Sequence, residues 1–274
     1  MTVPPHIYLT HRPAPPLAHF VQHLWYWDGQ PPSHSRDRIL PNGCASLIIN
    51  LAEDEVRDYV GPAQMQVERH PGAVLVGAYS RHSVIDAGEQ RVVMGVVFKP
   101  GGMRPFFEPA ADDFHNAHAS LRDLWGESGA TLRARILDTP SPQLRLRLLE
   151  QELMQKALRP LQRRAEVDFV IAQLSSRPQR SIAELSRESG LSARRISRLF
   201  ALETGLTPKL FARIKRFESA LRLMNRQDVH WSELADHCGY FDQSHLIHEC
   251  RELSGFTPAE LQSRRLGDTR HIPL

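Results

Sequence analysis

An internal repeat in the last hundred residues constrains the fold more than any other feature of this chain. Ser181-Ile182-Ala183-Glu184-Leu185-Ser186, Gly190 and Gly205-Leu206-Thr207-Pro208 have counterparts in His230-Trp231-Ser232-Glu233-Leu234-Ala235, Gly239 and Gly255-Phe256-Thr257-Pro258. The offset is 49 positions at the start and 50 at the end, so one copy has gained a single residue in between. A repeat at a fixed period of this length implies two copies of one supersecondary unit.

Each copy reads as a helix-turn-helix. A short helix carries an apolar pair, Ile182 and Leu185 or Trp231 and Leu234, and ends at a glycine placed where a left-handed residue closes a helix. In the first copy Ser192 is the expected cap of the next helix, whose Ile196, Leu199 and Phe200 form a buried stripe. Arg194, Arg195, Ser197 and Arg198 are then available for contact, and arginine offers a donor fork suited to guanine edges and phosphates alike. In the second copy Asp242 is the expected cap. Gln243, Ser244, His245 and His248 point outward, while Leu246 and Cys250 turn inward. Between the copies, Thr207-Pro208 opens a helix whose Leu210, Ile214, Phe217, Leu221 and Met224 recur at spacings of four and three. Such a rigid joint would let two recognition helices enter successive major grooves, roughly 34 Å apart.

These residues resemble the AraC/XylS family of transcription regulators over about residues 164–265. The marks are Ala183 and Leu185 to Gly190-Leu191-Ser192, Leu199-Phe200, Gly205-Leu206-Thr207-Pro208, Gly239-Tyr240-Phe241-Asp242-Gln243-Ser244-His245-Leu246 and Gly255-Phe256-Thr257-Pro258. The resemblance implies a seven-helix domain that binds double-stranded DNA. Its base-contacting positions fall on Arg194, Ser197 and Arg198 in the first unit and on Gln243, Ser244, His245 and His248 in the second. Where the family commonly has Arg and Phe, this chain has His248 and Cys250. A neutral imidazole lacks the bidentate fork of a guanidinium, so the first unit is expected to dominate readout. The cysteine implies looser packing in the second.

The first half has a different texture. Three β-branched runs, 45–51, 73–77 and 91–98, read as strands, the last ending at Pro100-Gly101-Gly102. Beyond about residue 117 the pattern is helical, Pro160 interrupts it, and nothing after that point reads as a strand. The expected class is α+β: a mixed domain of short strands and flanking helices over 1–160, then an all-α domain over 161–266. Ile39 to Asn50 and Val97-Phe98-Lys99-Pro100-Gly101-Gly102 resemble an N-terminal domain found in a subset of AraC-type regulators, which implies a regulatory or sensor role. Pro41, Asn42, Pro100, Gly101 and Gly102 could line an effector pocket walled by Trp25, Tyr26 and Trp27; the plainer reading is of ordinary turns and a core aromatic cluster.

The net charge of +3 is too small to be diagnostic, but it is unevenly placed. Residues 1–162 carry 16 basic against 17 acidic side chains, and residues 163–265 carry 17 against 13, which suits a C-terminal half that faces phosphates. Neither an apolar run of spanning length nor a secretion signal is visible, so a cytoplasmic protein without membrane contact is expected. Cys44, Cys238 and Cys250 are too scattered for a disulfide framework or zinc ribbon. His115 with His118 and His19 with His23 lack an acidic or thiol companion at a recognisable spacing, so no metal and no cofactor is expected. The leading reading is an effector-responsive regulator, an activator, with RNA polymerase, a small-molecule effector and a second copy of the chain as partners. The alternatives are a DNA-repair or modifying enzyme that uses the module for targeting, and an interaction protein that no longer reads DNA. No GxSxG or paired-carboxylate site speaks for an enzyme.

Overall fold

A computed structural model describes residues 6–30, 32–158, 161–224, 230–264 and 270–274. The first part contains β1 (Ile7–His11), β2 (Val21–Asp28), β3 (Arg36–Ile39), β4 (Ser46–Asn50), β5 (Glu55–Val60), β6 (Gln66–Pro71), β7 (Ala73–Val76), β8 (Ser83–Asp86), β9 (Val92–Phe98) and β10 (His118–Ser120). Helices α1 (Leu121–Trp125), α2 (Glu127–Leu137) and α3 (Pro142–Gln155) follow. The second part contains α4 (Ala165–Ser176), α5 (Ile182–Ser189), α6 (Ala193–Thr204), α7 (Pro208–Leu223), α8 (Trp231–His237), α9 (Gln243–Ser254) and α10 (Pro258–Arg264), then β11 (His271–Pro273).

Two antiparallel sheets build the N-terminal part, one in the order β1-β2-β9-β4-β7-β10 and one in the order β11-β3-β8-β5-β6. The three apolar runs become β4, β7 and β9, which stand side by side in the first sheet. Leu47 lies opposite Leu75 on one side and Val96 on the other, and Ile49 lies opposite Met94. Because side chains alternate along a strand, these residues share one face. They bury it with Leu121, Trp125, Leu132, Leu146, Leu149 and Leu153 from α1, α2 and α3.

The same alternation corrects the aromatic wall. Tyr26 is buried in this core, whereas Trp25 and Trp27 lie on the opposite face, half-buried. Trp25 packs over Gly95, where an added Cβ would come within 3.1 Å of the indole and 2.3 Å of the Leu47 carbonyl oxygen.

The C-terminal part has two cores joined by α7. Phe211 and Ile214, in the first half of that helix, pack with Val170, Leu185, Ile196 and Phe200. Phe217 and Leu221, in its second half, pack with Leu234, Leu246, Cys250 and Leu253. Arg213 of α7 pairs with Glu249 and Glu252 of α9, which fixes the second unit to the shared helix. At 16 residues α7 spans about 24 Å.

The described residues of the all-α domain expected over 161–266 form only helices; beyond it β11, where no strand is expected, returns the chain to the N-terminal part and pairs with β3 through Ile272 opposite Arg38. Three residues with one buried apolar side chain give too short a pattern to read as a strand. Pro160, the 160/161 boundary and the boundary at 266 lie outside the described residues.

Candidate nucleic-acid interface

Both helix-turn-helix units close in the manner their sequences require. Gly190 and Gly239 adopt φ of 69° and 75°, and Gly205 and Gly255 adopt 79° and 76°, a region L-residues with a Cβ rarely enter. The N–H of Arg195 donates to Ser192 Oγ at 3.3 Å, and the N–H of His245 donates to Asp242 Oδ1 at 2.7 Å. The ends of α6 and α9 also match. Thr204 and Ser254 each donate a hydroxyl back to the carbonyl four residues earlier, on Phe200 and Cys250. Each then accepts the N–H two residues on, from Leu206 and Phe256.

The one-residue difference between the copies lies in the turn. Gly190 is followed by Leu191 and the cap Ser192; Gly239 is followed by Tyr240, Phe241 and the cap Asp242. Tyr240 is buried in the second core, and Phe241 is 92% exposed. An exposed aromatic at the start of α9 is the candidate contact that sequence reasoning missed. The 49-to-50 change in offset was the signal that could have located it.

On α6, Ile196 and Phe200 are buried and Leu199 half-buried, while Arg194, Arg195 and Arg198 are exposed and Ser197 is half-buried. Among the described residues none of these three guanidinium groups meets a carboxylate. Elsewhere in the domain Arg164 pairs with Glu203 and Arg180 with Glu188. Unpaired arginines grouped near the start of one exposed helix form a donor surface suited to phosphates and base edges.

The second unit is less basic and partly self-engaged. Gln243 and Ser244 are exposed. His245 is half-buried, accepts the N–H of Phe241 at Nδ1 (3.2 Å) and stands edge-on to Tyr240 at 5.3 Å. His248 faces Glu252 at 3.4 Å.

The N-terminal candidates do not gather into one pocket. Trp25 lies on the sheet face opposite the helices, whereas the two loops dock on the C-terminal part. Arg163 donates to the Pro100 carbonyl at 2.8 Å, and Lys215 donates to the Asn42 carbonyl at 3.2 Å. The Pro41 carbonyl accepts from Arg270 at 3.4 Å. Gly102 is buried against the Phe20 carbonyl, and Gly43 against the Phe211 ring. Gly101 does border a cleft of about 250 Å³ with Phe20, Arg104, Arg163, Arg164 and Glu203, at the junction of the two parts.

The three cysteines have little nucleophilic character. Burial pushes the Cys238 thiol up to about 11 and the Cys250 thiol up to about 12, and raises that of Cys44. No helix among the described residues is long and apolar enough to cross a membrane.

Comparison with known proteins gives two family matches within the chain. A helix-turn-helix domain family matches residues 185–264, and a domain of unknown function matches residues 9–120. A probable transcriptional regulator, LumQ of Photobacterium leiognathi, is 32% identical over 82 residues, which is 30% of this chain and 33% of that protein. The match thus spans about a third of the relative's length. Crystal structures of ToxT from Vibrio cholerae align over 93–94% of this chain and 98% of theirs, at 10–11% identity and TM-scores of 0.43 and 0.47. The higher of these scores belongs to ToxT bound to (E)-4-(8-methylnaphthalen-1-yl)but-3-enoic acid. The C-terminal part of the chain, over residues 185–264, thus matches helix-turn-helix domains.

Proposed function

We propose that the protein is a sequence-specific DNA-binding transcription regulator that places α6 and α9 in successive major grooves. The observation that carries this reading is the trio Arg194, Arg195 and Arg198, exposed and without carboxylate partners on a capped helix that follows a tight turn. On α6, Arg194, Ser197 and Arg198 read base edges, while Arg195 anchors phosphate. On α9, Gln243, Ser244, His245 and His248 make a weaker set, supplemented by the Phe241 ring against sugars or thymine methyls.

The N-terminal part is the regulatory half of this proposal. A small polar effector in the cleft beside Gly101, Arg104 and Arg164 would touch both parts at once and so bias their arrangement. RNA polymerase and a second copy of the chain complete the proposed partners, with activation as the sign.

The test is fluorescence anisotropy on a site recovered by selection from genomic fragments. Arg194→Ala and Arg198→Ala should each cost about 1–3 kcal/mol of specific binding. Unchanged affinity in the double variant would remove the basis of the proposal. Binding of the wild type should weaken steeply as salt rises, because phosphate contacts release counterions.

A further inference from the structure

Where the two sheets meet lies a cluster that the DNA-binding reading does not use. Asp58 on β5, His70 on β6 and His118 on β10 offer three ligand atoms that all lie within 4.8 Å of one another. Their side chains are 6%, 17% and 7% exposed. Nε2 of His70 and Nε2 of His118 stand 3.4 and 3.3 Å from the same Asp58 oxygen, Oδ2. Both contacts lie within ion-pair distance, and neither has the geometry of a hydrogen bond. Among the described residues, neither Asp58 oxygen nor His70 Nε2 has a hydrogen-bond partner. A buried carboxylate with no hydrogen bond on either oxygen is costly, and a cation held beside it offsets that cost.

We propose that Asp58, His70 and His118 bind a divalent transition-metal ion of the zinc type. Two ligands on one tetrahedral ion with bonds of about 2.0–2.1 Å stand about 3.3 Å apart, which matches the two separations just given. Imidazole nitrogens with one carboxylate form a donor set that zinc and its neighbours accept.

Two features around the cluster point the same way. Tyr79 Oη lies 3.1 Å from Nδ1 of His118. With the Nδ1–H donating to that oxygen, Nε2 keeps its lone pair for the ion, the part a hydrogen-bond acceptor plays behind a metal-bound histidine. Glu68 stands directly opposite Asp58 in the β5–β6 register. Like charges at directly opposed positions destabilise a strand pair, and a bound dication would offset that repulsion. With three protein ligands and His70 partly open, a fourth position is left for water or an exogenous ligand.

The site joins strands of both sheets, because β10 belongs to the first and β5 and β6 to the second. Sequence spacing could not reveal it, since Asp58, His70 and His118 are 12 and 48 residues apart and only the fold brings them together.

The test uses the full chain stripped of metal by chelator dialysis, then titrated with Zn²⁺ against a chromophoric chelator and with Co²⁺ by visible absorption. The expected result is one tight equivalent of Zn²⁺ and a Co²⁺ band of four-coordinate intensity. That equivalent should be lost in Asp58→Asn and His118→Ala but kept in His11→Ala. Tyr79→Phe removes only the supporting group and should weaken binding about tenfold or more. Circular dichroism reports whether each variant folds. Should Asp58→Asn or His118→Ala not fold, the wild-type Co²⁺ spectrum and the Tyr79→Phe shift decide. An aqua-like Co²⁺ spectrum with no tight Zn²⁺ equivalent, or an equivalent that survives in folded His118→Ala, would overturn the proposal.

Discussion

Arg194 and Arg198 carry the DNA reading, and the residues behind them decide how firmly they are aimed. Ser192 closes the start of α6 by accepting the Arg195 N–H. Ser192→Ala should therefore cost about 1 kcal/mol of stability, measurable by denaturant unfolding, and should weaken DNA binding without changing its sequence preference. Phe241→Ala removes an exposed ring, so the melting temperature should hold while affinity for a selected site falls; unchanged affinity would assign the ring no part in binding.

His82 makes a different kind of contribution. Burial, then the nearby Arg38 guanidinium, hold its pKa down at about 4, although the Leu253 backbone opposes the shift. The imidazole is thus neutral in the folded protein, whereas an unfolded chain takes up a proton below about pH 6.5. As pH falls from about 6.5 toward 4, the unfolded state binds more protons and stability declines. The loss is on the order of 1–2 kcal/mol once solvent screening of a half-buried ring is allowed for. His82→Gln should flatten that part of the stability profile, and an unchanged profile would assign the acid sensitivity elsewhere.

At the scale of elements, what the sequence revealed depended on how strongly each segment's pattern was tied to burial. Strands β4, β7 and β9 were legible because each has a face in the main core and a second face at least partly covered, which produces near-continuous apolar runs. Strand β6, Gln66–Pro71, has five of its six residues exposed and no apolar alternation, so nothing local distinguishes it from a loop. The helix-turn-helix units were legible down to their caps, since glycine, serine and aspartate at those positions have local physical reasons. Their placement against the N-terminal part was not, because it depends on contacts distant in sequence. Strand β11 shows the same limit. Ile272 is fully buried in the core of the second unit while its strand pairs with β3. Ile272→Ala should cost about 2–5 kcal/mol and lower the thermal midpoint of the full chain. Loss of a negligible amount would mean that the strand does not hold the two parts together.

For the whole molecule, the N-terminal part contributes to the core of each helix-turn-helix unit. Ala78 enters the first, and Leu40, with Ile272 from the returning strand, enters the second. Arg38 adds a hydrogen bond to the Ser254 carbonyl at 3.0 Å and lies 4.3 Å from the centre of the Phe256 ring. Both units therefore rest on one support, while the arginine face of α6 stays open. Leu40→Ala, far from any proposed DNA contact, should cost about 2–5 kcal/mol and weaken binding to two-block sites more than to a single block. An equal loss on both would argue that the support does not set the spacing of the units.

The most direct test of the account is to select genomic fragments with the purified full chain at near-physiological salt, in parallel with the Arg194→Ala/Arg198→Ala variant, and sequence what each retains. The account predicts two short conserved blocks about one helical turn apart for the wild type, with the block read by the first unit the more strongly conserved and lost in the variant. Retention without sequence preference, or the same motif recovered by both proteins, would contradict it.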